Sequence, residues 1–278
     1  MKEMIAVSKA STYVLVALLI ILIAALTFIM IYGIKDDGFK NKKAKLLLSE
    51  SYRLSDIEKI NINVKSSDVY IKESEDENVY VDIYAVKRED VSSTLTDGEL
   101  KVVSKGKFNF CIFCFGSTNK KVEIKLPKSY TGSIKSSATS GDFTMGSFKD
   151  TTINVQAKSG DVDIKNVKKA TIKVTSGDIE IKNIQKANIK ATSGDIELDN
   201  VNGKVDIKVT SGDIDIDKFN ITENSSIKAT SGDIKVKDIE NAFINTSVKS
   251  GDVKVNGSDR TAEYELDINV TSGDIRVN

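Results

Sequence analysis

Eight aspartates, each directly after a Ser-Gly pair, are the residues whose type and spacing could do chemistry in this sequence. The glycines recur every 17 to 22 residues, so stacked repeats would align the carboxylates in one column. Such a column would either bind cations or close each turn by hydrogen-bonding to its own neighbouring backbone. Calcium-binding β-rolls carry a nonapeptide with denser Gly and Asp, which is absent here. We therefore predict a structural turn ladder and no metal site. The ladder residues are Gly141, Asp142, Gly160, Asp161, Gly177, Asp178, Gly194, Asp195, Gly212, Asp213, Gly232, Asp233, Gly251, Asp252, Gly273 and Asp274.

Catalysis is disfavoured by the composition. The chain of 278 residues has no His, which removes the usual general base near neutral pH and the commonest metal ligand. A carbohydrate-active β-helix enzyme would need carboxylates gathered in a cleft, whereas these recur one per repeat. We predict no catalytic residue and no cofactor, and a protein that is not an enzyme.

A Cys-x-x-Cys pair, Cys111 and Cys114, lies in the aromatic stretch FNFCIFCFG. Such a pair can be redox-active, metal-binding or disulfide-bonded. Without a second pair or any His, one chain cannot supply the four ligands of a structural zinc site. Two small apolar residues in a buried strand are the default reading, and a disulfide remains open.

The elements that position the aspartates follow from columns of apolar residues. Two and four residues after each glycine, and three before it, the side chain is apolar in every repeat. Alternation of apolar and polar residues predicts strands on both sides of a Ser-Gly-Asp bend. One repeat is too short to fold alone, so we predict an all-β fold, a parallel β-solenoid (β-helix) of stacked rungs. A β-sandwich is the alternative, but its hairpins would not hold one turn at a near-constant period. The segment around Ser67 resembles a degenerate early rung, with serine in the glycine position.

The amino-terminal part has a different character. Residues 13–32 carry no charge over twenty positions, about the length that crosses a bilayer core as a helix. A cleaved signal peptide is the alternative, although the run exceeds a typical apolar core and no cleavage motif follows. We predict a tail over 1–12, a transmembrane helix over 13–34, a charged juxtamembrane linker over 35–56 and the solenoid over 57–278.

Opposite charges are balanced overall, with 40 Lys and Arg against 40 Asp and Glu, which gives no argument for nucleic-acid binding. Charges nevertheless recur in columns. Four residues before glycine stand Lys173, Lys190, Lys208 and Lys228; three after it stand Asp163, Glu180, Glu197 and Asp215, then Lys235, Lys254 and Arg276. Solubility explains exposed charge without a special cause. The alternative is a striped surface that binds a charged polymer or a partner protein.

The stretches DGELKVV (97–103) and KVEIKLPKSY (121–130), followed by units of the TSGDIEIKN type, resemble the bacterial "putative adhesin" β-strand-repeat family, a domain of unknown function. With the apolar segment before it, the chain is similar to the LiaG-type membrane-anchored envelope proteins of Gram-positive bacteria. The resemblance implies an extracytoplasmic domain tied to the cell envelope, with a link to envelope-stress responses. It brings no catalytic residue.

These observations predict a membrane-anchored cell-envelope protein that presents a rigid solenoid for binding or assembly. The lysines at 35, 40, 42, 43 and 45 would place the carboxyl side in the cytoplasm, but long domains escape the charge rule. We therefore expect a plasma-membrane protein with residues 35–278 outside the cytoplasm. Its partners would be the membrane, a cell-wall polymer or an envelope protein, and no nucleic acid. Since the last repeat ends at Asn278 without a cap, we expect self-association at this C-terminal edge of the solenoid.

Overall fold

Parallel pairing between successive repeats builds the fold. The computed structural model describes residues 43–86, 90–105 and 119–278. Within these ranges the chain forms strands and one 3-10 turn at Leu54–Asp56, and no helix is long and apolar enough to cross a membrane. The transmembrane helix predicted over 13–34 and the pair Cys111 and Cys114 lie outside the described residues.

Strands occupy most of the described chain. Seven precede the first Ser-Gly-Asp repeat: β1 (Lys45–Arg53), β2 (Lys59–Val64), β3 (Asp68–Ser74), β4 (Asn78–Ala85), β5 (Asp90–Thr96), β6 (Glu99–Lys105) and β7 (Lys121–Pro127). Thirteen form the repeats: β8 (Ser133–Ser140), β9 (Phe143–Ser159), β10 (Val162–Ser176), β11 (Ile179–Ser193), β12 (Ile196–Ser211), β13 (Ile214–Ile221), β14 (Ser225–Ser231), β15 (Ile234–Val236), β16 (Ile239–Glu240), β17 (Ala242–Ser250), β18 (Val253–Val255), β19 (Tyr264–Ser272) and β20 (Ile275–Val277).

Each rung consists of a strand before the Ser-Gly-Asp turn and a strand after it. We call the surface formed by the first set the leading face and that formed by the second the trailing face. In the middle of the solenoid, one long strand runs from the trailing face of a rung to the leading face of the next. Strand β11, for example, pairs in parallel with β10 through Ile179 and Val162, and with β12 through Ile179 and Ile196. The predicted parallel β-solenoid is confirmed.

The core is one apolar column per inward position. Along β11, which joins two rungs, the buried residues are Ile179, Ile181, Ile184, Ala187, Ile189 and Ala191. They stand two apart where the strand is straight, as side-chain alternation requires, and three apart where it bends around a corner. Because the same positions recur in every central rung, each aliphatic side chain packs on its equivalents above and below.

Antiparallel strands close the amino-terminal end. Strand β5 pairs with β6, β4 pairs with β7, and β1 pairs with β4. Strand β1 lies inside the segment predicted as a linker over 35–56, so that prediction is wrong for residues 45–53. Leu48 and Tyr52 pack against the core and provide the apolar contacts that hold this strand in place.

Near the amino terminus, the order of rungs in space differs from their order in sequence. Strands β2 and β3 form the predicted degenerate rung, which pairs with β6 and β7 on one side and with β8 and β9 on the other. The connection over residues 127–133 must therefore pass across it. Tyr130, 2% exposed, anchors this crossing: its hydroxyl donates to the Ser133 carbonyl oxygen at 2.9 Å, and its own carbonyl oxygen accepts from Thr151 Oγ1 at 2.8 Å.

The tyrosine makes the stability of this crossing dependent on pH. Burial raises the pKa of Tyr130 above its ordinary value of 10.0. Above pH 10 the unfolded chain loses this proton while the folded chain keeps it, so the free energy of unfolding falls by up to about 1.4 kcal/mol per pH unit. Tyr130→Phe should be less stable by about 1 kcal/mol at neutral pH, because a hydrogen bond is lost, and should show a shallower alkaline fall. Urea unfolding between pH 7 and 11 measures both quantities, and parallel pH profiles of the two proteins would contradict this assignment.

At the carboxyl-terminal end the last two rungs are also exchanged. Strand β19 pairs with β14 on one side and with β17 on the other, and β20 lies between β15 and β18. The C-terminal repeat of Gly273 is therefore an interior rung, and the repeat of Gly251 forms the end. The expectation that the C-terminal repeat is the open edge of the solenoid is wrong.

Two polar residues with positive φ mark the place where the chain skips a rung. Asp238 has φ 45° and Asn241 has φ 60°, and asparagine and aspartate adopt this region more readily than other residues with a Cβ. Strand β16 still pairs with β13. Strand β17, which begins at Ala242, lies two rungs beyond β14, because β19 occupies the position between them. The later segment Tyr264–Val277 fills the slot that this step leaves open.

Candidate functional site

The aspartate column is a continuous ladder of hydrogen bonds between rungs. In each rung, Oδ1 of the aspartate accepts a hydrogen bond from the backbone amide of the aspartate in the next rung. In spatial order the acceptors are Asp68, Asp142, Asp161, Asp178, Asp195, Asp213, Asp233 and Asp274, which bonds to the amide of Asp252, at 2.8–3.1 Å. The sequence placed these bonds within each turn, whereas the structure places them between turns. The side chain thus continues the backbone ladder where the chain bends.

The glycine column allows the turns to stack at the distance that this ladder needs. Gly194 has φ 123°, a conformation that residues with a Cβ rarely adopt, and an added Cβ would overlap with the carbonyl oxygen of Gly177. Ser67 occupies the glycine position of the degenerate rung, where Asp68 begins the ladder.

The ladder carboxylates already have a structural task. In the described part of the chain, no group of three or more Asp, Glu, Cys or His residues is arranged to hold a metal ion. Oδ1 of every ladder aspartate except Asp252, in the end rung, accepts a hydrogen bond from a backbone amide, and Oδ2 of Asp274 also accepts from Arg276 at 2.9 Å. The arrangement therefore supports rung stacking and offers no preformed coordination sphere.

Asp195→Asn should change stability little, because the amide oxygen of asparagine can still accept the Asp213 amide and one charge leaves a crowded column. Asp195→Ala removes the acceptor and should lower the free energy of unfolding by about 1–2 kcal/mol. Thermal melting of both variants, with and without calcium, measures the difference. A calcium-induced increase of tens of degrees, or loss of folding in Asp195→Asn, would show that the column is a metal site.

The trailing face beside the ladder is acidic. A second column of acids, Asp163, Glu180, Glu197 and Asp215, stands two residues beyond the ladder and is continued in the last rungs by basic residues. The last three of these acids and the ladder aspartates beside them line one shallow depression. The lysines of this face pair locally. Lys182 lies 3.3 Å from Glu180, and Lys237 donates to Asp217 at 2.8 Å, a bond that lowers the pKa of that carboxyl.

The leading face is basic. Lys173, Lys190, Lys208 and Lys228 are in register on four successive rungs, and we call them the lysine column. All four side chains are exposed, and none forms an ion pair with another described residue. Other lysines of the same rungs do pair, as Lys204 does with Asp206 at 3.3 Å and Lys186 does with Glu223. The balanced net charge of the chain thus conceals two faces of opposite sign.

A groove opens at the end of the lysine column, where β17 joins the sheet. Its volume is about 410 Å³. The lining combines three lysines and several hydroxyls with residues whose side chains belong to the core, and includes no carboxylate: Lys208, Val209, Lys228, Ala229, Thr230, Ser247, Val248, Lys249, Asn269, Val270 and Thr271. This groove could not be predicted from the residues alone, because its lining depends on the exchanged order of the last two rungs.

Comparison with known proteins identifies the fold. The family model described as Toastrack DUF4097 matches residues 57–278. A "putative adhesin" from Bacteroides fragilis aligns over 84% of this chain and 97% of its own, with 21% identity and a TM-score of 0.52. One from Parabacteroides distasonis covers 84% and 98%, with 16% identity and a TM-score of 0.51. Among curated proteins, none matches this chain. At these identities the structures are similar in fold alone.

Proposed function

We propose that this chain, which belongs to the Toastrack DUF4097 family, is a membrane-anchored cell-envelope protein whose solenoid presents a binding surface. Two solved structures of similar fold bear the name "putative adhesin", which supports a binding role. The uncharged run over 13–32 would be the anchor, and residues 35–278 would lie outside the cytoplasm. The observation that carries the proposal is the segregation of charge onto two faces of a continuous solenoid, which suits adhesion to a charged partner.

The topology can be tested by cysteine labelling of intact cells. Arg260 is exposed in the loop between β18 and β19 and has no hydrogen-bond or ion-pair partner among the described residues, so Arg260→Cys leaves the fold intact. Neighbouring Ser258 is unsuitable, because its Oγ accepts the Ile244 amide at 3.1 Å. A membrane-impermeant maleimide should label Arg260→Cys without permeabilisation, in a background where Cys111 and Cys114 are serines.

Ser8→Cys, in the predicted tail on the other side of the apolar run, provides the matched control. It should react only after the membrane is permeabilised. Protection of Arg260→Cys in intact cells, with labelling of Ser8→Cys in the same intact cells, would place the solenoid in the cytoplasm and reject the proposal.

A second candidate function, assembly, is favoured by the positions of three apolar residues. Leu46 (49% exposed) and Leu47 (39%) lie on β1, and Val253 (46%) lies on β18. These strands are the two outer edges of the trailing face, and an open edge presents unpaired backbone groups to another strand. Contact between β18 of one copy and β1 of another would be heterologous and would build open chains of copies.

Sedimentation of the full chain in detergent micelles over a range of concentrations tests this second candidate. Val253→Lys should abolish association, because it places a charge on the outer edge. Thr222→Lys adds the same charge at an exposed site away from both ends and should have no effect. A wild-type chain that remains monomeric at the highest concentration would exclude assembly through these edges.

A further inference from the structure

The leading face offers several hydrogen-bond donors in each rung. Beside the lysine column, and pointing outward on the same face, stands a threonine column formed by Thr175, Thr192, Thr210, Thr230 and Thr271. On the other side of the lysines are Thr171, Asn188 and Ser226, with Asp206 as the single acid between them. Three of the four rungs with a column lysine therefore present one ammonium group between neutral polar groups, and neighbouring rungs are about 4.8 Å apart.

None of the four lysines of the column forms an ion pair with another residue that the structure describes. Like charges on adjacent rungs repel one another, and Asp206, which lies on the same face two residues before Lys208, pairs with Lys204 at 3.3 Å instead. A ligand with regularly spaced negative charges would relieve this repulsion at four rungs together. It would release the counterions that the lysines hold in solution, which makes binding strongly dependent on salt.

The chemistry of the face favours phosphate over carboxylate. The column contains lysine and no arginine, and arginine is the residue that matches a planar carboxylate with two parallel hydrogen bonds. A phosphate group has more acceptor oxygens than a carboxylate, so one group can accept from a lysine and from the threonine hydroxyl of the same rung. The three columns contain no aromatic side chain on which nucleic-acid bases would stack, in keeping with the absence of a nucleic-acid signature.

We propose that the lysine column and the adjoining groove bind a linear phosphate polymer. The chain of phosphates lies along Lys173, Lys190, Lys208 and Lys228, and one end of it enters the groove between Lys228 and Lys249. There Ser247, Asn269 and Thr271 add hydroxyl and amide groups that can hydrogen-bond to phosphate oxygens. This inference names the ligand class for the binding surface proposed above and rests on that function for its biological setting only.

The test uses the purified full chain in detergent micelles with inorganic polyphosphate as the probe. The column variant replaces Lys173, Lys190, Lys208 and Lys228 with Gln. The control variant replaces Lys165, Lys182, Lys235 and Lys237 with Gln, so that it loses four lysines from the trailing face of the same solenoid. Both variants have the same change in net charge. Circular dichroism and thermal melting establish that each is folded.

We expect wild-type affinity to fall about 50-fold between 50 and 200 mM salt, as four released counterions predict. The column variant should bind at least tenfold more weakly at 100 mM salt, and its salt slope should be smaller by about 3. The control variant should bind like the wild type. Equal weakening in both variants would show a nonspecific effect of net charge and overturn the proposal.

Polyglutamate of similar charge separates the two polymer classes. We expect it to bind at least tenfold more weakly than polyphosphate, whereas equal binding would reject the assignment to phosphate. Because these measurements use purified protein, they are independent of the labelling result. A labelling result that places the solenoid in the cytoplasm would reject the proposed location and would not affect the polyphosphate result. Failure to bind polyphosphate would reject the ligand and would not affect the proposed location.

Discussion

Gly194→Ala should lower the free energy of unfolding by about 4 kcal/mol, a large effect for the addition of one methyl group. Two costs combine at this position. The backbone has φ 123°, which an alanine adopts only with strain, and the new Cβ would overlap with the carbonyl oxygen of Gly177. To relieve the overlap the two turns would have to separate, which would break the hydrogen bond from the Asp195 amide to Asp178 at 2.8 Å. Urea unfolding followed by circular dichroism measures the loss.

Gly146→Ala is the matched control. It also lies in a solenoid rung, but its φ is not in the positive region, and an added Cβ would lie 3.6 Å from its nearest neighbours, at ordinary contact distance. We expect a change within about 0.5 kcal/mol there. Equal stability losses at the two glycines would show that the stacking distance between turns does not require glycine.

Ile275→Ala should be far more damaging than Val253→Ala, although both residues stand two positions after their glycine. Ile275 is fully buried because its rung lies between two others, while Val253 is 46% exposed on the end rung. Truncating the buried isoleucine should reduce the free energy of unfolding by about 3–4 kcal/mol, since it opens a cavity that the neighbouring rungs cannot fill. The change at Val253 should stay near 0.5 kcal/mol. Thermal and urea unfolding of the full chain provide both numbers.

Val277→Ala and Val255→Ala repeat the comparison with identical chemistry. Val277 is fully buried and Val255 only partly buried, both four residues after the glycine. The variant at Val277 should again be the less stable of the two. A solenoid whose rungs followed the order of the sequence would reverse both rankings, so a greater loss at Val253 and Val255 would contradict the exchange of the last two rungs.

Several features of the fold are local in origin and could be read from the residues alone. The Ser-Gly-Asp turn recurs with its apolar neighbours, and this periodicity predicts stacked parallel rungs. It also predicts which side chains point inward, and the burial of Ile179 and Ile181 confirms this. The degenerate rung around Ser67 was visible for the same reason, because Asp68 and the alternating residues after it repeat the pattern. The charged columns point outward for the same reason, because side chains alternate between the core and the surface along each strand.

The order of the rungs could be decided only by tertiary structure. Every repeat has nearly the same inward residues, so a rung can pair with almost any other, and the pairing is chosen by the segments that join them. At one end the choice depends on the antiparallel strands β4 to β7 and on Tyr130, which anchors the return across the first rung. At the other it depends on the step at Asp238 and Asn241, which leaves a slot for the last segment. The local sequence pattern therefore determined the structure of a single rung. The long-range pairing of strands and the length of the connecting segments determined which rungs are neighbours, where the open edges lie, and where the groove beside Lys228 forms.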